Sequence, residues 1–121
     1  MRFAAWTGLV VGAMMLAQWL VFIAAGQVPE FETEPYAIAF HLVAELATAC
    51  ALIVSGALLL RGRRRAVGFA LFAFGMLVYT SINSPGYFAQ LGQWPLVAMF
   101  ALVLVASLAA VVQLLELPAA A

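Results

Sequence analysis

The sequence predicts an all-α, integral membrane protein: a four-helix up-and-down bundle with both termini cytoplasmic. Three observations carry this expectation. The 121 residues are 68% hydrophobic and 8% charged, whereas charged side chains make up about a quarter of an ordinary soluble domain. The apolar residues gather into four runs, at about 3–25, 36–60, 66–82 and 94–117, with short polar stretches between them. Runs of roughly 20 residues suffice to cross a hydrocarbon core of about 30 Å. The basic residues are also unevenly placed, since Arg61, Arg63, Arg64 and Arg65 cluster between the second and third runs.

The same composition removes several functional classes. All basic residues are Arg, all acids are Glu, and the formal net charge is zero, so there is no basic field to attract nucleic acid. The chain has no glycine-rich phosphate loop, no nucleophile elbow and no soluble domain, and an enzyme is not the expected class. The lone cysteine, Cys50, can form neither an internal disulfide nor a multi-thiolate metal site, and reads as a small core or lipid-facing residue.

Phe3 to Ala25 is uncharged and forms the first span. A cleaved signal peptide is the competing reading, because Arg2 precedes it and Ala24, Ala25 and Gly26 are small, but an h-region runs only about 7 to 15 residues. Gly8 and Gly12, with Ala4, make a small-residue strip suited to close helix approach, inside the bundle rather than in a homodimer. The segment 26–35 is an outside loop, expected to be extended, in which Glu30, Glu32 and Glu34 alternate with Phe31 and Thr33 between Pro29 and Pro35. Its acids read as a solvated connection, with cation gathering as the sharper alternative.

The second span ends at the basic turn 61–65. Arginine is retained on the cytoplasmic side, so this turn and Arg2 place both termini in the cytoplasm and the acidic loop outside. A lipid-headgroup or partner site is the other reading of the same arginines. The third span finishes in a polar group, Tyr79, Thr80, Ser81, Asn83 and Ser84. Within the outside loop 83–93, Ser84-Pro85-Gly86 is expected to turn the chain, with Gly86 free to take positive φ. Tyr87, Phe88 and Trp94 suit an interfacial aromatic belt. The fourth span opens with Pro95, tolerated at a helix start, and is expected to close at Pro118; Ala106 and Ala110 offer a second close-packing strip. A short likeness between Gly12-Ala-Met-Met-Leu and Gly75-Met-Leu is too brief to establish repeats.

The candidate site lies in the second span. His41 and Glu45 are one helical turn apart and share a face. A central carboxylate costs a membrane helix about 2.5 to 3.5 kcal/mol on insertion scales, so Glu45 needs a partner, a neutralising proton or a water-filled cavity. Counting helical rise from the outer ends puts Glu45 at about 13 to 14 Å depth, His41 at about 7 to 8 Å, Gln18 at about 12 Å and Tyr79 at about 10 Å, with Asn83 one turn above Tyr79. These five residues are the expected site for a proton, an ion or a very small ligand, in transport, binding or sensing. The alternative is interhelical glue in a structural or accessory subunit, each hydrogen bond contributing about 0.6 to 2 kcal/mol. One histidine and one buried acid fall short of a zinc site, and no second histidine exists to help hold a haem, so no metal or cofactor is expected. The expected partners are the lipid bilayer of the cell (inner) membrane, and a second copy or another membrane protein. In outline the chain resembles the small four-helix membrane proteins of prokaryotes, a likeness of shape that brings no site residues with it.

Overall fold

A computed structural model describes residues 1–117. Among them the chain forms α1 (Arg2–Ala24), α2 (Glu30–Thr33), α3 (Pro35–Leu60), α4 (Ala66–Asn83), α5 (Pro85–Gln90) and α6 (Trp94–Leu115). Four helical stretches are long and apolar enough to cross a membrane: α1, α3, the consecutive pair α4–α5, and α6. Pro118, expected to close the last helix, lies outside the described residues.

Local chemistry explains where the helices start and stop. Pro35, Pro85 and Pro95 sit in the first turns of α3, α5 and α6, where a missing N–H costs no intrahelical bond. α1, α3 and α5 all end in a left-handed glycine, at Gly26, Gly62 and Gly92. At the end of α3, Arg63 N–H donates to the Leu58 carbonyl and Gly62 N–H to that of Leu59, the paired bonds of a Schellman motif. This leaves the arginines at the mouth of a tight reversal.

Two connections differ from expectation. The acidic loop is not extended; it contains the single turn α2, in which Glu32 and Thr33 N–H both bond back to the Pro29 carbonyl. Pro29 sets a helical φ of −63° at its start, and Glu30 and Glu32 follow in the first turn, where the helix dipole favours acids. Nor does Ser84-Pro85-Gly86 reverse the chain. Ser84 is helical (φ −66°, ψ −36°), Pro85 heads α5, and the reversal waits until Leu91–Gln93 around Gly92. A residue before proline normally avoids the helical region. Here Ser84 is held by two bonds to Thr80, N–H to carbonyl at 2.8 Å and hydroxyl to hydroxyl at 2.8 Å.

In the bundle α1 packs on α3 and α6, and α4 packs on the same two helices. The α1/α3 contact is backbone against backbone. A Cβ on Gly8 would stand 2.9 Å from the Leu52 carbonyl oxygen, one on Gly12 2.8 Å from that of Ala49, and one on Gly56 2.6 Å from that of Ala5. The partners descend along α3 as they ascend along α1, so the two helices run in opposite directions. The glycine strip of α1 is thus consumed within the chain, and Gly56 is its counterpart on α3. On α6 the buried residues are Ser107, Ala110 and Leu114, while Ala106 is half-buried.

The core is small-sided, with Ala4, Ala5, Ala70, Ala73 and Ala110 fully buried around Leu52 and Phe74. Large apolar residues point outward instead: Leu20, Tyr36, Phe40, Leu102 and Leu115 are 67% to 82% exposed. Water does not tolerate so continuous an apolar surface on a monomer, and hydrocarbon does.

Candidate functional site

Helix α3 buries Ile38, Glu45, Leu52 and Leu59, residues seven apart and so on one seam facing its neighbours. Three of the four are aliphatic. Glu45 holds the remaining position and is 9% exposed, so a carboxyl group stands where packing alone calls for leucine. Opposite it on α4 is a matching seam, Ala66, Ala70, Ala73, Leu77 and Thr80, all buried, with steps of four and three residues. Ser84 continues that spacing.

Thr80 Oγ1 donates a hydrogen bond to Glu45 Oε1, and Ser84 Oγ lies 2.8 Å from Thr80 Oγ1. A threonine hydroxyl has one proton. While it is given to Glu45, Ser84 must be the donor to Thr80, which makes a directed chain from Ser84 through Thr80 to the carboxyl. Three further buried hydroxyls turn back on their own helices: Thr48 to the Ala44 carbonyl at 2.8 Å, Ser55 to that of Leu52 at 3.3 Å, and Ser107 to that of Val103 at 2.6 Å. Ser81 Oγ, next to Thr80, is buried and has no hydrogen-bond partner among the described residues.

On its own helix Glu45 faces His41, whose Nε2 is 3.8 Å from Oε1; the two side chains are 40% and 11% exposed respectively. That distance is an ion-pair separation when the imidazole is protonated, and too long for a hydrogen bond. The imidazole also meets Trp19 of α1 edge to face, with ring centroids 5.9 Å apart. His41 therefore bridges the exterior and the buried acid.

Of the five residues expected at the site, His41 and Glu45 are adjacent. Gln18 is half-buried, Asn83 is exposed and Tyr79 is 70% exposed, and among the described residues no hydrogen bond joins any of the three to Glu45. Counting rise along a helix gives height without azimuth, and Tyr79 is about 100° around α4 from Thr80. Thr80 and Ser84 take the place expected for Tyr79 and Asn83 beside the acid. The continued four-three spacing of α4 is a signal in the sequence that would have found them.

The remaining polar groups are dispersed. Tyr87 of α5 donates to Glu30 Oε1 at 2.8 Å, tying α5 to the acidic turn. Cys50 is exposed on the outer surface of α3. Among the described residues no three His, Cys, Asp or Glu side chains come together to hold a metal ion. At the basic end, Gln113 Oε1 accepts from Ala4 N–H at 2.9 Å, which satisfies an N–H that the first turn of α1 leaves open. Two cavities border that same end, away from Glu45: one of ≈ 300 Å³ beside Arg2 and Trp6, and a groove of ≈ 610 Å³ beside Arg63 to Arg65.

Compared with known proteins, residues 1–119 match the family model described as a domain of unknown function, DUF8058. No curated protein and no solved structure matches the chain.

Proposed function

The chain belongs to the DUF8058 family, and we propose that it is a multi-pass protein of the cell (inner) membrane in which Glu45 is a proton-responsive site. In this reading the long helices run up and down with both termini cytoplasmic, in keeping with the arginines at the α3–α4 turn. The observation that carries the proposal is the carboxyl of Glu45 on an otherwise aliphatic seam, bonded to Thr80 and with His41 one turn away.

The hydroxyl chain gives the site two states. With Glu45 ionised, Ser84 donates to Thr80 and Thr80 to the carboxylate, while a protonated His41 stands by as counter-charge. With Glu45 protonated, its O–H donates to Thr80, and Thr80 turns its own proton towards Ser84. The chain reverses without moving a heavy atom, which lets a bundle this tightly packed accept and release a proton.

Reconstitution into proteoliposomes carrying an internal pH dye tests this. The expected result is a pH-dependent proton or proton-coupled solute flux that Glu45→Gln abolishes while the helix content is kept. A second reading, an accessory subunit in which Glu45 is only glue, is favoured by the Thr80 bond itself. It predicts no flux, a silent Glu45→Gln, and stable co-purification of another membrane protein. Topology is tested separately: a cysteine at Glu32 should label only from outside, and one at Arg63 only from the cytoplasmic side.

A further inference from the structure

We propose that the groove beside the α3–α4 turn binds the phosphate of an anionic phospholipid. It is lined by Leu58, Arg63, Arg64, Arg65, Ala66 and Phe69, with a volume of ≈ 610 Å³. The inference is independent of Glu45, which lies elsewhere on α3, and needs only that the helices cross a bilayer.

Three features converge there. Arg63 and Arg65 are exposed, and guanidinium forks match phosphate oxygens in a bidentate manner. Arg65 is the N-cap of α4, whose first turn contains no acid, so the positive end of that helix adds to the same field. Leu58 and Phe69 supply an apolar wall directly below the charges, and Phe69 is 40% exposed. A free phosphate ion would leave that wall unused; a lipid uses both, with its phosphate at the arginines and its acyl chains along Phe69. Retention of basic loops in the cytoplasm asks for arginines at this turn but not for a groove lined by them, and anionic lipid is abundant in the leaflet they would face. The ≈ 300 Å³ cavity likewise combines an arginine with apolar side chains, being lined by Arg2 together with Trp6 and Leu60.

Native mass spectrometry of the full chain, released from mixed vesicles of phosphatidylglycerol and phosphatidylcholine with matched acyl chains, tests the assignment. Phosphatidylglycerol should be retained in preference. Arg63→Gln/Arg65→Gln should lower its retention by about tenfold. Arg61→Gln removes a charge from the same turn but outside the groove, and should change retention by less than about twofold. Arg63→Lys/Arg65→Lys keeps the charge that orients the chain and should still weaken retention by roughly threefold, which covers the case in which the glutamine variant inserts wrongly. Excess glycerol phosphate should not displace the lipid. Equal retention of the two lipids, an equal loss in Arg61→Gln, or full retention in the lysine variant would overturn the proposal. Displacement by glycerol phosphate would overturn it too, in favour of a soluble phosphate site.

Discussion

The buried side of helix α3 has two working stretches, and they are built on opposite principles. From Ala49 through Leu52 to Gly56 it meets α1, and the backbones close until a single methyl group has no room. One turn earlier on the same side stands Glu45, bonded to Thr80 of α4. The first stretch has geometry and no chemistry; the second keeps a titratable group in a position where leucine would pack. Lipid explains why both are needed. Hydrocarbon gives helices no hydrophobic reason to associate, so close packing by small residues must hold the bundle, and only a bundle already held can shelter a carboxyl group.

The sharpest break in this comparison comes from adding volume to the first stretch. Gly56→Leu should prevent α1 from docking, and Gly56→Ala should cost about 1 to 3 kcal/mol, because the contact is with the Ala5 carbonyl, which cannot swing aside. Gly75→Ala is the control: a Cβ there meets nothing within 4 Å, so stability should not fall. Unfolding titrated with denaturing detergent reads all three, and equal losses at positions 56 and 75 would show that close approach is not what holds α1.

Around Glu45 the expected effects are smaller. Thr80→Val keeps the shape and removes the hydroxyl, leaving Glu45 without its donor, at about 1 to 2 kcal/mol. Combining it with Glu45→Leu should recover most of that loss, since the acid left unpartnered is then gone; strict additivity in this double-mutant cycle would contradict the Glu45–Thr80 coupling. Tyr79→Phe should be nearly silent, within about 0.5 kcal/mol, because Tyr79 points outward one residue away from Thr80. A larger effect at Tyr79 than at Thr80 would reverse the assignment of faces.

The two stretches were unequally legible in the sequence. Four long helices follow from run length and composition, and the glycine strip of α1 was visible because glycine spacing is itself the packing signal. Its counterpart Gly56 was harder to see, as one glycine within an apolar run carries no pattern of its own. Glu45 stood out because an acid inside a membrane span needs an explanation, and His41 because it lies one turn away. Their neighbour on α4 did not, since depth along a helix says nothing about direction around it. α2 and α5 were missed because each depends on a local contact, Pro29 setting the turn of α2 and the paired Thr80–Ser84 bonds carrying α4 into α5.

The proton-responsive reading of Glu45 is tested most directly by infrared difference spectroscopy of the reconstituted protein between about pH 5 and pH 9. Wild type should give a pH-dependent carboxyl C=O band that is absent from Glu45→Gln and changes frequency in Thr80→Val, where the hydroxyl bonded to it is lost. If the only carboxyl signals came from Glu30, Glu32, Glu34 and Glu116, identical in wild type and Glu45→Gln, Glu45 would not be exchanging protons and the account would be contradicted.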